Sequence, residues 1–212
     1  MKEERRQFFE RVDGDQCRDY ILSHCSKDYE KVKRSLERLM DNRFMFDSPW
    51  DMEPCSKIYQ IQPMVWNQVF EDDPEWAYML NRQEYLLQFM IGYLVEGDKG
   101  YIQKCKFFLF DWIEQVREFS PQSLMTRTLD TGIRSFTWLK LLLLFSKFDL
   151  LEEEELEKIL VSLEKQIDFM KSHYRAKYTL SNWGILQTIP MLAIYHFFSD
   201  KMDLEEVYLF AS

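Results

Sequence analysis

The chain has 212 residues, 46% of them hydrophobic and 16% aromatic, so it can bury a sizeable core and is not disordered as a whole. Its formal net charge of −9 argues against nucleic-acid binding through a general basic surface, and any polyanion must be held by a few local Arg and Lys residues. The four cysteines include no Cys-x-x-Cys pair, which is typical of free thiols in a reducing compartment. We therefore predict no metal and no other cofactor.

The sequence shows neither a membrane span nor a leader. The longest apolar run, residues 141–145, is far too short to cross a bilayer, and residues 1–6 are charged with no apolar stretch after them. We therefore expect no membrane association. The chain as written predicts a cytoplasmic location, and a periplasmic or secreted one if a signal segment has been removed.

Helical periodicity governs most of the chain, beginning with its first third. Residues 15–39 carry apolar positions between charges and predict one helix or two short ones. Residues 41–74 contain Pro49, Pro54 and Pro63 among aromatic residues and predict an extended connection that lies on other elements. No segment predicts a strand.

After residue 74 the helices are predicted in antiparallel pairs. The predicted helices are 75–95, a second one ending near 117, 126–145, 152–174, 181–198 and 202–210. The acidic run 152–155 predicts a solvated helix start rather than a metal site, because adjacent residues on a helix point in different directions. The fold class is therefore all-α, with residues 1–74 as N-terminal helices and a connection and residues 75–212 as a series of α/α hairpins.

A polar pair followed by an aromatic residue and a glycine opens the helix at residues 181–184, which read Ser-Asn-Trp-Gly. Ser and Asn are good helix caps, so a purely structural role is one interpretation. The other is that Asn182 offers an amide donor to an anion at the positive end of the helix dipole. Trp183 would then stack on a sugar ring, and Gly184 would leave room for a ligand or a neighbouring helix.

Three segments together resemble the N-terminal domain of heparinase II/III-like polysaccharide lyases. The first reads Asp-Asp-Pro-Glu-Trp-Ala-Tyr-Met-Leu-Asn-Arg at residues 72–82 and continues through Tyr93, residues 97–101 and residues 111–112. The second reads Arg-Thr-Leu-Asp-Thr-Gly-Ile-Arg at residues 127–134, with Trp138 one turn later. The third is the Ser-Asn-Trp-Gly segment.

The resemblance implies an incomplete (α/α) toroid, followed in the family by a β-sandwich, and β-elimination of uronic-acid polysaccharides such as heparin or heparan sulfate. In the family an asparagine of the toroid helps to neutralise the uronate carboxylate, and Asn182 matches that position. The family's tyrosine acid/base and its histidine lie beyond Ser212, and His173 and His196 do not match them. We therefore expect this piece alone to be inactive or nearly so.

Arg127 and Asp130 are spaced to interact on one helix, which leaves two interpretations open. The pair could order the start of the helix, or Arg127 could bind a substrate carboxylate or sulfate with two parallel hydrogen bonds. Arg134 lies two turns deep, where a structural role is favoured.

The remaining substrate-binding candidates are Trp183, Gln187, Asn81 and Arg82. Gln187 could extend the polar wall of the site or face a neighbouring helix. Asn81 and Arg82 fall within a predicted helix, and a buried hydrogen-bonding role between hairpins competes with sugar contact. The spacing of Trp76, Trp112 and Trp138 predicts core positions.

Two other classes of function remain open. The chain could be a non-catalytic carbohydrate-binding or interaction module of helical-toroid type. An α/α-toroid glycoside hydrolase would need two opposed carboxylates, which the acids at 72–75 and Asp130 do not obviously supply. An open toroid would also leave an apolar helix face uncovered, so self-association of the chain is expected.

Overall fold

The computed structural model describes residues 2–47, 54–70 and 72–212, and it begins with three helices. They are α1 at Glu3–Arg11, α2 at Gly14–His24 and α3 at Ser26–Met40. The Asp13 carboxylate caps α2 by accepting a hydrogen bond from the backbone N–H of Gln16 at 3.0 Å. Of the two alternatives for residues 15–39, the structure has the pair of short helices, which are separated at Cys25.

A two-stranded antiparallel sheet follows, with β1 at Arg43–Phe46 and β2 at Cys55–Gln60. The prediction that no segment forms a strand is therefore wrong. Most side chains of β2 are exposed, so the strand shows no alternation of apolar and polar residues. The hairpin is held instead by Phe44, which is fully buried with its ring centroid 6.5 Å from that of Trp76. Pro49 lies outside the described residues.

The helix predicted at 75–95 is two helices, α4 at Pro74–Arg82 and α5 at Leu86–Glu96. Gln83 interrupts it in a left-handed conformation with φ of 58°, and the Trp138 indole N–H donates to its side-chain oxygen at 2.7 Å. This tertiary contact is the reason that the helical pattern alone gave the wrong boundary. Gly97, with φ of 72°, ends α5, and α6 follows at Lys99–Gln115.

The remaining helices agree with the predicted pairs. They are α7 at Thr128–Lys147, α8 at Glu153–Ser172, α9 at Asn182–Phe198 and α10 at Glu205–Ala211, with a short 3-10 helix at Ala176–Leu180 before α9. Glu152 and Glu155 form a reciprocal capping box, which confirms the acidic run as a helix start. α8 packs on α7, and α10 packs on α9.

Helices α4, α7 and α9 lie side by side with their N-terminal ends together. Arg127 at the start of α7 contacts Glu75 at the start of α4, and Trp138, three turns further on, contacts Gln83 just past the end of α4. Gly132 faces the backbone of Leu186, and each is the fifth residue of its helix. Since the contacts advance in step, the three helices are parallel and their N-terminal ends form one surface.

The helices confirm the all-α class, and the buried core extends from Leu36 to Val207. Trp76, Trp112 and Trp138 are buried in it as predicted. The N-terminal helix α1 is tied to the C-terminal end of α9, where Arg5 binds Asp200. No helix in the described ranges is long and apolar enough to cross a membrane. A division near residue 74 and the closure of the hairpins into a toroid remain predictions.

Candidate functional site

The start of α9 presents two polar side chains that do not cap the helix. Ser181 is the capping residue, yet its hydroxyl donates to the carbonyl of Tyr178 at 3.2 Å and makes no capping bond. Asn182 is exposed, and its amide has no hydrogen-bond partner among the described residues. The Asn182 amide is therefore open to a ligand at the positive end of α9.

Trp183 follows with its indole half-buried between two neighbours. The Tyr178 ring stacks on it with centroids 5.3 Å apart, and the Arg127 guanidinium lies 5.6 Å from its centroid. Gly184 is needed by the protein itself, since a Cβ there would lie 2.4 Å from the Tyr178 carbonyl oxygen. The space at Gly184 is thus filled by the preceding 3-10 helix, not by a ligand or a neighbouring long helix.

Arg127 lies at the N-terminal end of α7 and contacts two carboxylates and two aromatic rings. Its Nε is 2.5 Å from Asp130 Oδ2, its Nη1 is 3.2 Å from Glu75 Oε1, and its guanidinium lies 3.4 Å from the Tyr78 ring centroid. Burial lowers the pKa of the Arg127 guanidinium, but the hydrogen bond to Asp130 and the nearby carboxylate charges outweigh it, so the net shift is upward. The predicted Arg127–Asp130 pair is present, and Arg127 remains a cation.

Asp130 has a second partner that sequence spacing did not reveal. Its fully buried carboxylate also accepts a hydrogen bond from Arg82 Nε at 2.7 Å, across 48 positions of the chain. Arg82 Nη2 lies 3.7 Å from Glu75 Oε2. Arg82, Arg127, Asp130 and Glu75 therefore form one charge-balanced network that joins both ends of α4 to the N-terminal end of α7.

Asn81 lies inside the protein. Its amide donates to the carbonyls of Trp66 at 2.7 Å and Ala77 at 2.8 Å, and its oxygen accepts from the Trp112 indole N–H at 2.9 Å. The side chain is fully buried, and its hydrogen-bonding groups are used within the protein. We therefore leave Asn81 out of the candidate site.

Gln187 is also fully buried, against α7. Its amide donates to the Trp183 carbonyl at 2.9 Å, and its side-chain oxygen has no partner among the described residues. A Cβ on Gly132 would lie 3.2 Å from Gln187 Cα, which shows how closely the two helices meet here. Of the two interpretations for Gln187, the structure has the one in which it faces a neighbouring helix.

Arg134 is a structural residue, as its depth in the helix predicted. Its guanidinium donates to Gln166 Oε1 and to the carbonyl of Asn81, each at 2.9 Å, and lies 4.0 Å from the Trp112 ring centroid. Burial lowers the pKa of Arg134 to about 9, although the Asp130 charge opposes that shift.

Three side chains define the candidate site: Asn182 as a hydrogen-bond donor, Trp183 as an aromatic face, and Arg127 as a cation beside it. Sequence reasoning missed Tyr78 and Tyr178, whose rings contact Arg127 and Trp183 respectively. Their only signal in the sequence is their aromatic character close to the two helix mouths. Within the described ranges, no three His, Cys, Asp or Glu side chains lie together as metal ligands.

Comparisons with known proteins agree with this architecture. The family model described as Heparinase II/III N-terminus matches residues 19–202. A solved heparinase III structure with methylated lysines superposes with a TM-score of 0.65 at 14% sequence identity, over 86% of this chain and 30% of that protein. At that identity the superposition shows the fold. No curated protein matches the chain. Because the family model covers most of its length, this chain belongs to the heparinase II/III N-terminus family.

Proposed function

We propose that this chain is the substrate-binding helical part of a polysaccharide lyase that cleaves uronic-acid polysaccharides of the heparin or heparan-sulfate type by β-elimination. The chain spans 30% of the heparinase III that it resembles, and we propose that β-elimination is carried out by a protein that contains this part together with further domains. The chain by itself is expected to be inactive or nearly so. We propose a cytoplasmic location for the chain as written, or a periplasmic or secreted one if a signal segment precedes it.

The observation that supports the proposal most is the free amide of Asn182 at the mouth of α9. The C5 proton of a uronate becomes removable only when donors neutralise the adjacent carboxylate and the enediolate that develops from it. Asn182 can donate to that carboxylate, and the positive end of α9 stabilises the same charge. Trp183, beside it, can contact the apolar face of the sugar ring.

We infer that Arg127 positions other residues of the site and does not bind the substrate directly. All three of its guanidinium nitrogens already donate to Asp130 or Glu75. Three of the five guanidinium N–H groups are thus used within the protein, and a substrate carboxylate would have only the remaining N–H groups of Nη1 and Nη2 to accept from. We therefore assign Arg127 to holding Trp183 in place and to lending positive charge to the cleft.

A second candidate is a carbohydrate-binding module with no catalytic role. One observation favours it: among the described residues, no histidine contacts Asn182, Trp183 or Arg127. His196 is in the last turn of α9, at the end opposite Asn182, and the His173 ring contacts Phe169 and Ser172 at the end of α8.

Two measurements separate the two functions. The first is titration of the chain with uronate oligosaccharides. The second is an absorbance assay for unsaturated uronate, carried out with a longer protein that contains this chain (the parent). The lyase proposal expects Asn182→Ala to lower kcat of the parent by about a hundredfold, as loss of one enediolate donor does. Asn67→Ala, an exposed asparagine elsewhere, serves as the matched control. Full kcat in Asn182→Ala would remove this residue from the mechanism, and saccharide binding with no product from the parent would establish the binding module.

A further inference from the structure

A groove of about 730 Å³ runs between α3, β1 and α4, beside the candidate site. Helix α3 contributes Lys31, Arg34 and Arg38 to its wall, and α4 contributes Arg82. Positions i, i+3 and i+7 lie on one face of a helix, so the three α3 cations form a row about 10 Å long.

The two arginines of this row carry uncompensated charge. Lys31 is paired with Asp28 at 2.8 Å. Arg34 and Arg38, in contrast, have neither a carboxylate nor a hydrogen-bond partner in the part of the chain that the structure describes. Guanidinium groups without partners that face a common groove are suited to carboxylate or sulfate oxygens.

The cations of the groove differ in their availability. Among the described residues that line it there are four cations and two acidic residues, Asp47 and Glu84, in a chain whose net charge is −9. Lys31 is paired with Asp28, and Arg82 is paired with Asp130 and Glu75, so Arg34 and Arg38 are the lining cations without a carboxylate partner among the described residues. Concave walls that hold two available guanidinium groups favour an anionic ligand over a neutral one.

The groove adjoins the candidate site through a chain of contacts. Arg82 lines the groove and donates to Asp130 Oδ1, while Arg127 of the candidate site donates to both oxygens of the same carboxylate. Ile133 of α7 lines both the groove and an apolar pocket of about 220 Å³ between α7 and α9. A ligand that extends across α7 can therefore reach both places.

We propose that Arg34 and Arg38 form a second anion-binding subsite, which holds a sulfate or carboxylate group of the same oligosaccharide whose uronate is bound at Asn182. This inference rests on the proposed function for the identity of the ligand. The subsite would make binding depend on oligosaccharide length, because only a chain of several sugars reaches from one place to the other.

The test is calorimetric titration of the 212-residue chain with a heparin-derived octasaccharide, and with the same saccharide after removal of its sulfates. Arg34→Gln/Arg38→Gln should weaken binding of the sulfated probe about tenfold and make it less salt-dependent, since two ionic contacts are lost. The control Lys99→Gln/Lys165→Gln removes the same charge from exposed positions outside the groove and off α3, and should change affinity less than about twofold. Loss confined to the sulfated probe identifies sulfate as the bound group, and equal loss with both probes identifies carboxylate.

Equal affinities of the groove variant and the control would overturn the subsite. The proposed function fails separately if Asn182→Ala and Trp183→Ala bind both probes like the wild type while the groove variant is weakened. Absence of binding by the wild-type chain overturns both. Arg34 is exposed, so Arg34→Glu offers a variant that keeps the fold and should weaken binding further by charge repulsion.

Discussion

Arg82 and Arg127 are bound to the two oxygens of one buried carboxylate, that of Asp130. The arrangement links α4 to the N-terminal end of α7. The Glu75 carboxylate is close to both arginines and balances the second positive charge. Since Arg127 also lies against the Trp183 ring, the network reaches the candidate site on α9. The packing of α4 against the N-terminal end of α7 and the geometry of the candidate site therefore depend on the same carboxylate.

Replacement of that carboxylate should destabilise the protein strongly. Asp130→Asn leaves Arg82 largely buried without its main counter-charge, and loss of one partner of a buried ion pair costs about 3–5 kcal/mol. Urea denaturation followed by circular dichroism measures the change in the free energy of unfolding. Asp168→Asn, at an exposed position of α8, is the control and should be nearly neutral. Equal free energies of unfolding for the two variants would show that the network does not stabilise the packing of α4 and α7.

The contact between α7 and α9 should tolerate no side chain at Gly132. A Cβ there would lie 2.2 Å from the Leu186 carbonyl oxygen, which is backbone and cannot rotate away. Gly132→Ala should therefore lower the free energy of unfolding by about 1–3 kcal/mol despite the higher helix propensity of alanine. Thermal unfolding measures it against Lys165→Ala, an exposed alanine substitution in α8. A stabilised Gly132→Ala variant would contradict the close approach of the two helices.

The N-terminal helix should contribute stability that depends on pH. Arg5 Nη1 and Nη2 donate to the two oxygens of Asp200 at 2.7 and 2.5 Å, and Nη1 also donates to the Phe197 carbonyl. The hydrogen bond from Arg5 lowers the pKa of Asp200 below its usual range. A carboxyl group whose pKa is depressed in the folded state stabilises the protein above its unfolded pKa of about 4, and that stability is lost as the pH falls through the folded value.

Arg5→Ala should therefore destabilise the protein by about 1–3 kcal/mol near neutral pH, because Arg5 is buried and its partners lose a charged donor. The difference from the wild type should shrink as the pH is lowered below 4. Denaturant unfolding at several pH values measures both effects. Arg18→Ala, whose side chain is 42% exposed and pairs only with exposed carboxylates, is the control. A difference that stayed constant across the acid range would exclude Asp200 as the titrating partner.

Self-association should occur through the exposed apolar face of α9. Ile185 is 56% exposed and Ile189 is 46% exposed, and both line the apolar pocket against α7. We expect the chain to form a concentration-dependent oligomer that Ile185→Ser/Ile189→Ser abolishes, as measured by sedimentation velocity. Ile58→Ser, on β2 with 49% exposure, should leave the oligomer intact. A wild-type chain that stays monomeric at every concentration would contradict this expectation.

The sequence was sufficient for the features that depend on local periodicity. The later helix pairs, the acidic start of α8 and the buried tryptophans follow from residues close together in the chain. The break at Gln83 and the β1–β2 hairpin could not be predicted from local periodicity. Trp138 stabilises the break and Trp76 stabilises the hairpin. Both tryptophans are distant in the sequence, so the local sequence pattern does not reveal them as partners.

For the candidate site, the sequence by itself determined the chemistry that is available: an amide, an aromatic ring and a cation at two helix starts. Only the tertiary structure decided which groups are free. Asn81 and Gln187 are enclosed by packing, and Arg127 is occupied by carboxylates, whereas Asn182 remains open. The physical reason is that hydrogen-bonding capacity is finite, so a polar side chain that satisfies a buried neighbour is not available to a ligand.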